Sequence, residues 1–198
     1  MQIEIKHHQL PNLGFIMFDI PPVALSYLDK VCADIQANPD QYKPWNDHLV
    51  GHIQDQYSFD PSPEFREFIQ QVAAQYTSAS TVTRPKPFEL DSVWANFQKR
   101  HEYNPSHDHD GDLSFVIWVQ IPYDLKEELA VYPDARGQRH SCFEFKYTTI
   151  LGKVCTYTLP VDQDWRGKMI MFPGKLVHQV NPFTTTDGIR ISVSGNLI

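Results

Sequence analysis

Leu113-Ser114-Phe115-Val116-Ile117-Trp118-Val119-Gln120-Ile121-Pro122 is the most strand-like stretch of the chain. It is nearly continuous, rich in β-branched and aromatic residues, and closed by proline. Working outward, the same chemistry repeats in shorter pieces. Phe88–Gln98 reads as a strand around Val93, Trp94 and Phe97. Cys142–Tyr147, Lys153–Leu159, Lys168–Phe172, Leu176–Val180 and Arg190–Asn196 follow as short strands between turn residues. Upstream the period changes. Phe15–Ile20 is a strand stopped by Pro21-Pro22, and Val23–Ala37 repeats its apolar residues at helical spacing. Ser62 is placed to cap a second helix, with Pro63 at its first position and a stripe of Phe65, Phe68, Ile69, Val72 and Ala73. Residues 38–60 read as a long surface excursion, and 124–140 as a charged loop. Two helices followed by about eight short strands predict a mainly β fold. The expected architecture is an antiparallel sandwich or jelly roll packed against an N-terminal helical layer. We expect one domain, with residues 1–85 as helical support and 86–198 as the jelly-roll core.

A chain of 198 residues suits one domain better than two. Its net charge of −7 argues against general nucleic-acid binding, which needs cations to displace counterions. No run reaches the roughly 18 apolar residues of a membrane span, and no secretory leader opens the sequence. The three cysteines have no metal-binding spacing and suit reduced thiols, so a cytoplasmic setting is expected. Nine histidines are the compositional oddity.

Three of them form a pattern. In Asn104-Pro105-Ser106-His107-Asp108-His109-Asp110-Gly111-Asp112, an extended backbone points His107 and His109 to one face and Asp108 and Asp110 to the other. Two imidazoles at that spacing reach one metal without bending the chain. A lone His-x-His is weak evidence, but Phe172-Pro173-Gly174-Lys175-Leu176-Val177-His178 brings a further histidine in a second strand. Three protein ligands on one side of a metal leave positions open for substrates, as in non-haem iron oxygenases. Arg190-Ile191-Ser192 follows after a turn, with Arg190 in an otherwise apolar strand. A guanidinium there, with the Ser192 hydroxyl on the same face, matches the far carboxylate of a metal-chelated dicarboxylate.

Together with Trp94-Ala95-Asn96-Phe97-Gln98, these segments resemble the Fe(II)- and 2-oxoglutarate-dependent oxygenases, in particular small oxygenases of marine phages and bacteria related to the prolyl-hydroxylase branch. The resemblance covers about residues 90–198. It implies a double-stranded β-helix, with Fe(II) on His107 and His178 and the 2-oxoglutarate C5 carboxylate on Arg190 and Ser192. The usual His-x-Asp is here His-x-His, so either His109 or a neighbouring aspartate completes the site; strand parity favours His109. Asn96 is a candidate donor to the C1 carboxylate, and Trp94, Trp118 and Phe172 are candidate pocket walls. The implied reaction is dioxygen-dependent oxidation of a C–H bond, in a protein side chain such as proline or in a small molecule, with release of succinate and CO2. Two other readings stand beside it: a three-histidine cupin-type dioxygenase not using 2-oxoglutarate, and a non-catalytic jelly-roll binding protein.

His48 and His52 have helical ligand spacing, but Gly51 and nearby prolines disfavour a helix there, and a lid or substrate-loop role suits the segment better. His7 and His8 are expected to be exposed. No Gly-x-Ser-x-Gly or Gly-x-x-x-x-Gly-Lys is present, which removes serine-hydrolase and phosphate-loop readings.

Overall fold

The computed structural model describes residues 14–79 and 86–198; His7 and His8 lie outside them. In chain order the elements are β1 (Ile16–Asp19), α1 (Pro22–Ala37), β2 (Lys43–Pro44), β3 (Asp55–Ser58), α2 (Pro63–Ala79), β4 (Leu90–Gln98), β5 (Asn104–His107), β6 (Leu113–Gln120), α3 (Leu125–Ala130), β7 (Phe143–Thr148), β8 (Val154–Leu159), β9 (Lys168–Pro173), β10 (His178–Val180) and β11 (Arg190–Leu197). The strands form two sheets, one of seven strands in the order β1-β9-β6-β11-β4-β3-β2 and one of four in the order β5-β10-β7-β8. Every pairing is antiparallel.

The apolar run of β6 follows from what covers it. Phe115, Ile117 and Val119 pack with Leu28 and Ile35 of α1 and with Ile69 and Tyr76 of α2, while Trp118 packs with Phe143 of the smaller sheet. A strand covered on both faces has no reason to alternate with polar residues. The inner faces meet through Trp118, Ile170 and Phe172 on one side and Phe143, Phe145 and Leu159 on the other. The helices cover the outer face of the larger sheet. Each large apolar side chain they bury contributes about 1.5–3 kcal/mol. The Ser62 hydroxyl accepts the Phe65 N–H at 3.2 Å, so α2 begins where its cap directs.

The result is a mainly β jelly roll with N-terminal helices on one sheet. The N-terminal region does more than support it, because β1, β2 and β3 all join the larger sheet. The expected surface excursion at 38–60 therefore needs correcting. Asp55–Ser58 is a strand whose central Gln56 is 1% exposed, and its polar composition hides the strand from a hydrophobicity reading. The charged loop at 124–140 likewise contains α3, capped by the Asp124 carboxylate, which accepts the Lys126 N–H at 2.7 Å. Among the described residues no helix is long and apolar enough to cross a membrane.

Candidate metal centre

Pairing of β10 with β5 sets His178 directly opposite His107, and pairing of β10 with β7 sets Phe145 on its other side. Beyond β5 the chain turns, and the His109 N–H donates to the Gly174 carbonyl at 2.8 Å. That bond ties the loop after β5 to the turn after β9. One ring nitrogen from each of His107, His109 and His178 lies within 4.8 Å of the others. Asp108 and Asp110 are exposed and face Lys175, at 4.0 and 3.0 Å. His109, and neither aspartate, stands in the cluster with His107 and His178.

The protonation pattern suits a cation. His107 Nδ1 lies 2.7 Å from the Pro105 carbonyl and His178 Nδ1 lies 2.9 Å from the Leu176 carbonyl. Carbonyl oxygens only accept, so each Nδ1 carries the proton and each Nε2 presents a lone pair. Burial, reinforced by the neighbouring imidazoles, holds His178 well below the ordinary histidine value. Burial also lowers His107, and burial with the nearby His107 brings His109 to about 4. Near neutral pH the three rings are uncharged, as metal ligation requires. His178 is 3% exposed and stacks on Phe143 at 15°, centroids 5.5 Å apart.

A pH dependence follows for the metal-free protein. The folded state binds fewer protons than the unfolded one wherever a histidine's folded value is depressed, so stability falls as pH drops from 6.5 towards about 4. Urea midpoints of metal-stripped protein should decline over that window and do so less in His109→Gln. A flat profile would contradict the assigned environment.

The cavity before the cluster is walled by an alternating face of the larger sheet. Trp94, Asn96 and Gln98 of β4 and Ser192 and Ser194 of β11 look inward, while Val93, Ala95, Phe97, Ile191 and Val193 face the helices. Phe172 of β9 adds to that face, Phe143 of the smaller sheet lines the opposite wall, and Leu49 and Ile53 complete the lining. Trp118 does not line it; its ring is taken up by Phe143 and Trp165 in the core. Asn96 is on the wall, but its amide is engaged. Its Nδ2 donates to the Ser192 and Ser194 hydroxyls, both at 3.2 Å, and its Oδ1 accepts from Gln56 and Trp94 at 2.7 and 3.1 Å. The free space is about 30 Å³. At ~10–15 Å³ per water, that accommodates an ion with one or two waters. Asn104, also on the wall, has a buried Oδ1 with no partner among the described residues.

Arg190 is 3% exposed at one end of β11. Its Nε and Nη2 both donate to Gln98 Oε1, its Nη1 to the Tyr123 hydroxyl (2.8 Å) and the Ser141 carbonyl (2.7 Å), and its Nη2 also to the Asn181 carbonyl (2.8 Å). Every acceptor is neutral, and no carboxylate among the described residues lies within 4 Å of it. A buried cation without an anion is costly, which marks this as a place for one. Gln98 and Tyr123 escaped the sequence reading. Gln98 was within reach of it, since it shares the period-two face of Asn96; Tyr123 follows the strand-ending Pro122 and carried no periodic signal.

Gly174 needs its lack of a side chain because a Cβ there would sit 2.1 Å from the Gly111 carbonyl oxygen. Gly174→Ala must push the two turns apart and with them His109. We expect a stability loss of at least ~2 kcal/mol, the upper part of the usual overpacking range, together with weaker metal binding. Denaturant melts and metal titration of the variant would measure both.

A β sandwich that gathers three neutral imidazoles at one cavity and a lone buried guanidinium beside it has the makings of a non-haem metalloenzyme. The family model described as "Putative 2OG-Fe(II) oxygenase" matches residues 92–196, more than half of the sequence. The chain belongs to the 2OG-Fe(II) oxygenases, which are oxidoreductases using Fe(II) and 2-oxoglutarate. Solved structures share the fold at low identity. A Pseudomonas putida prolyl-4-hydroxylase is 12% identical, with a TM-score of 0.59 over 93% of this chain and 91% of that one. A prolyl hydroxylase from Trichoplax adhaerens, in complex with a peptide fragment of hypoxia inducible factor, is 11% identical, with a TM-score of 0.54 over 93% and 83%. A 2-oxoglutarate-dependent epimerase of nogalamycin biosynthesis is 13% identical, with a TM-score of 0.60 over 93% and 77%. No curated protein matches the chain.

Proposed function

We propose that the protein hydroxylates an aliphatic C–H bond, with prolyl residues of a peptide as the first substrates to test. His107, His109 and His178 hold the iron, and Arg190 anchors the far carboxylate of 2-oxoglutarate. The observation that carries this is the pairing of three neutral, carbonyl-oriented imidazoles with a buried guanidinium that lacks an acid. The neighbouring fold in prolyl hydroxylases supports the substrate class. Bound iron with 2-oxoglutarate supplies the oxidising power, consuming dioxygen and releasing succinate and CO2.

The chain's own residues have definite tasks. Pro105 and Leu176 carbonyls fix the tautomers of His107 and His178 and aim their free nitrogens. Burial raises the pKa of Tyr123, so its hydroxyl stays protonated and able to donate to a carboxylate on Arg190. Gln98 now takes two guanidinium N–H groups with one oxygen, and must give them up when a carboxylate binds. Phe143 and Phe172 keep water from the reacting face.

Anaerobic addition of Fe(II) and 2-oxoglutarate should produce a visible charge-transfer band, and air should then yield succinate. Arg190→Lys keeps the charge and loses the planar fork, so the KM for 2-oxoglutarate should rise about 10–100-fold, ~1.4–2.8 kcal/mol of lost recognition. Iron binding without succinate, and an Arg190→Lys variant equal to wild type, would favour the three-histidine dioxygenase reading instead.

A further inference from the structure

Four aromatic rings lead from the metal cluster to the surface. Ring centroids of His109 and Trp94 are 5.8 Å apart, those of Trp94 and Trp45 are 6.0 Å apart at 23°, and those of Trp45 and His48 are 4.0 Å apart at 24°. Trp94 is 3% exposed, Trp45 is half-buried and His48 is exposed. The outer part is pinned in place. The Trp45 N–H donates to the Gln56 carbonyl at 2.8 Å, and the Asn46 side chain donates to the Ile53 and Gln54 carbonyls at 2.8 and 2.9 Å. Packing alone asks only for bulk. Two stacked indoles, the inner one against a metal-cluster imidazole and the outer one reaching solvent, also make a chain of easily oxidised rings with near-contact gaps.

Resting on the reading that His109 ligates the metal, we propose that Trp94 and Trp45 form an electron relay that drains oxidising equivalents from the centre when dioxygen reacts without substrate. In each one-electron step Trp94 passes an electron inward and is refilled by Trp45, so Trp94 is unchanged overall. Trp45 loses that electron, and its Nε1 proton leaves to solvent. The Lys43 ammonium, 5.8 Å from the Trp45 ring centroid, disfavours a lasting indole cation and so favours that proton loss. A thiol reductant then returns one hydrogen atom to Trp45. Two such steps deliver two electrons, joined at the centre by two solvent protons. In sum, two thiols and the oxygen atom that the substrate would have received become one disulfide and one water.

The other tryptophan pair supplies an internal reference. Trp118 and Trp165 lie 4.9 Å apart, and neither lines the cavity. Full-length protein should be incubated with Fe(II), 2-oxoglutarate and air, without substrate or thiol, with succinate assayed and tryptophan oxygenation mapped by peptide mass spectrometry. We expect oxygenation at Trp45 with Trp165 intact, suppression by added thiol, and none with Zn(II) in place of iron. Trp94→Phe should lower Trp45 oxygenation at least tenfold. Trp45→Phe, outside the cavity wall, should keep the initial succinate rate and shift the oxygenation to Trp94. Equal damage at Trp45 and Trp165, or unchanged Trp45 oxygenation in Trp94→Phe, overturns the relay. Succinate with Trp45 unmodified overturns the relay alone, whereas absence of succinate overturns the underlying oxygenase reading as well.

Discussion

His178→Ala is expected to abolish succinate formation and weaken Fe(II) binding by well over 100-fold. Removing a group that merely orients a metal-ligating histidine typically costs ~10–100-fold, so loss of a ligand must cost more. The case for this position is geometric. His178 sits at the centre of the smaller sheet, opposite His107 and beside Phe145, and its tautomer is set by the Leu176 carbonyl. It is also packed against Phe143 and Phe172, so truncation leaves a cavity, and ~2–4 kcal/mol of stability should go with the ring. Metal titration under anaerobic conditions separates the two effects, because His178→Gln keeps most of the volume and loses the imidazole nitrogen. His109→Ala should behave like His178→Ala in metal affinity, whereas Asp108→Ala and Asp110→Ala should match wild type. If an aspartate variant loses iron and His109→Ala keeps it, the ligand set is wrong.

Glu128→Ala is expected to be the most destabilising single change away from the metal, by about 3–5 kcal/mol. Glu128 on α3 is fully buried, and its carboxylate accepts from the backbone N–H groups of Thr184 and Thr185 and from both threonine hydroxyls. Truncation removes the shared acceptor of those four donors, and charge-assisted bonds of this kind are each worth ~1.5–3 kcal/mol. Burial alone would raise the pKa of this group, but the threonine hydrogen bonds outweigh it and hold the value below the ordinary 4.5. The folded state therefore favours the carboxylate, so its stabilisation is present above 4.5 and is lost as pH falls through the lowered value. Denaturant melts at neutral pH should show the full deficit of Glu128→Ala and a smaller one at pH 4 or below. Because Thr184 and Thr185 lie on the turn leading into β11, the variant should also raise the KM for 2-oxoglutarate, through displacement of Arg190.

Much of the chemistry was legible in one dimension because it obeys the period of an extended chain. His107 and His109 share a face by parity, and so do Arg190 and Ser192, and each pair is carried on or beside a strand. The apolar signal of β6 and the cap of α2 are local, and each predicts its element without knowledge of neighbours. Strand β3 was invisible for the opposite reason. Its pattern, Asp55-Gln56-Tyr57-Ser58, is polar, and it becomes a strand because β4 offers it an open ladder and Asn96 accepts its Gln56 amide.

What the sequence determined by itself is therefore the class of fold, the helix layer and the candidate ligands, since propensity and period act between residues a few positions apart. The tertiary structure alone decided which groups meet. It brought His178 across from His107 over 70 residues, turned Asp108 and Asp110 out to Lys175, and enclosed Arg190 among neutral acceptors from four separate segments. Those contacts depend on sheet register and on the pinning of turns such as His109 to Gly174. Register is set by the collective burial of two apolar faces, and no local pattern carries that information.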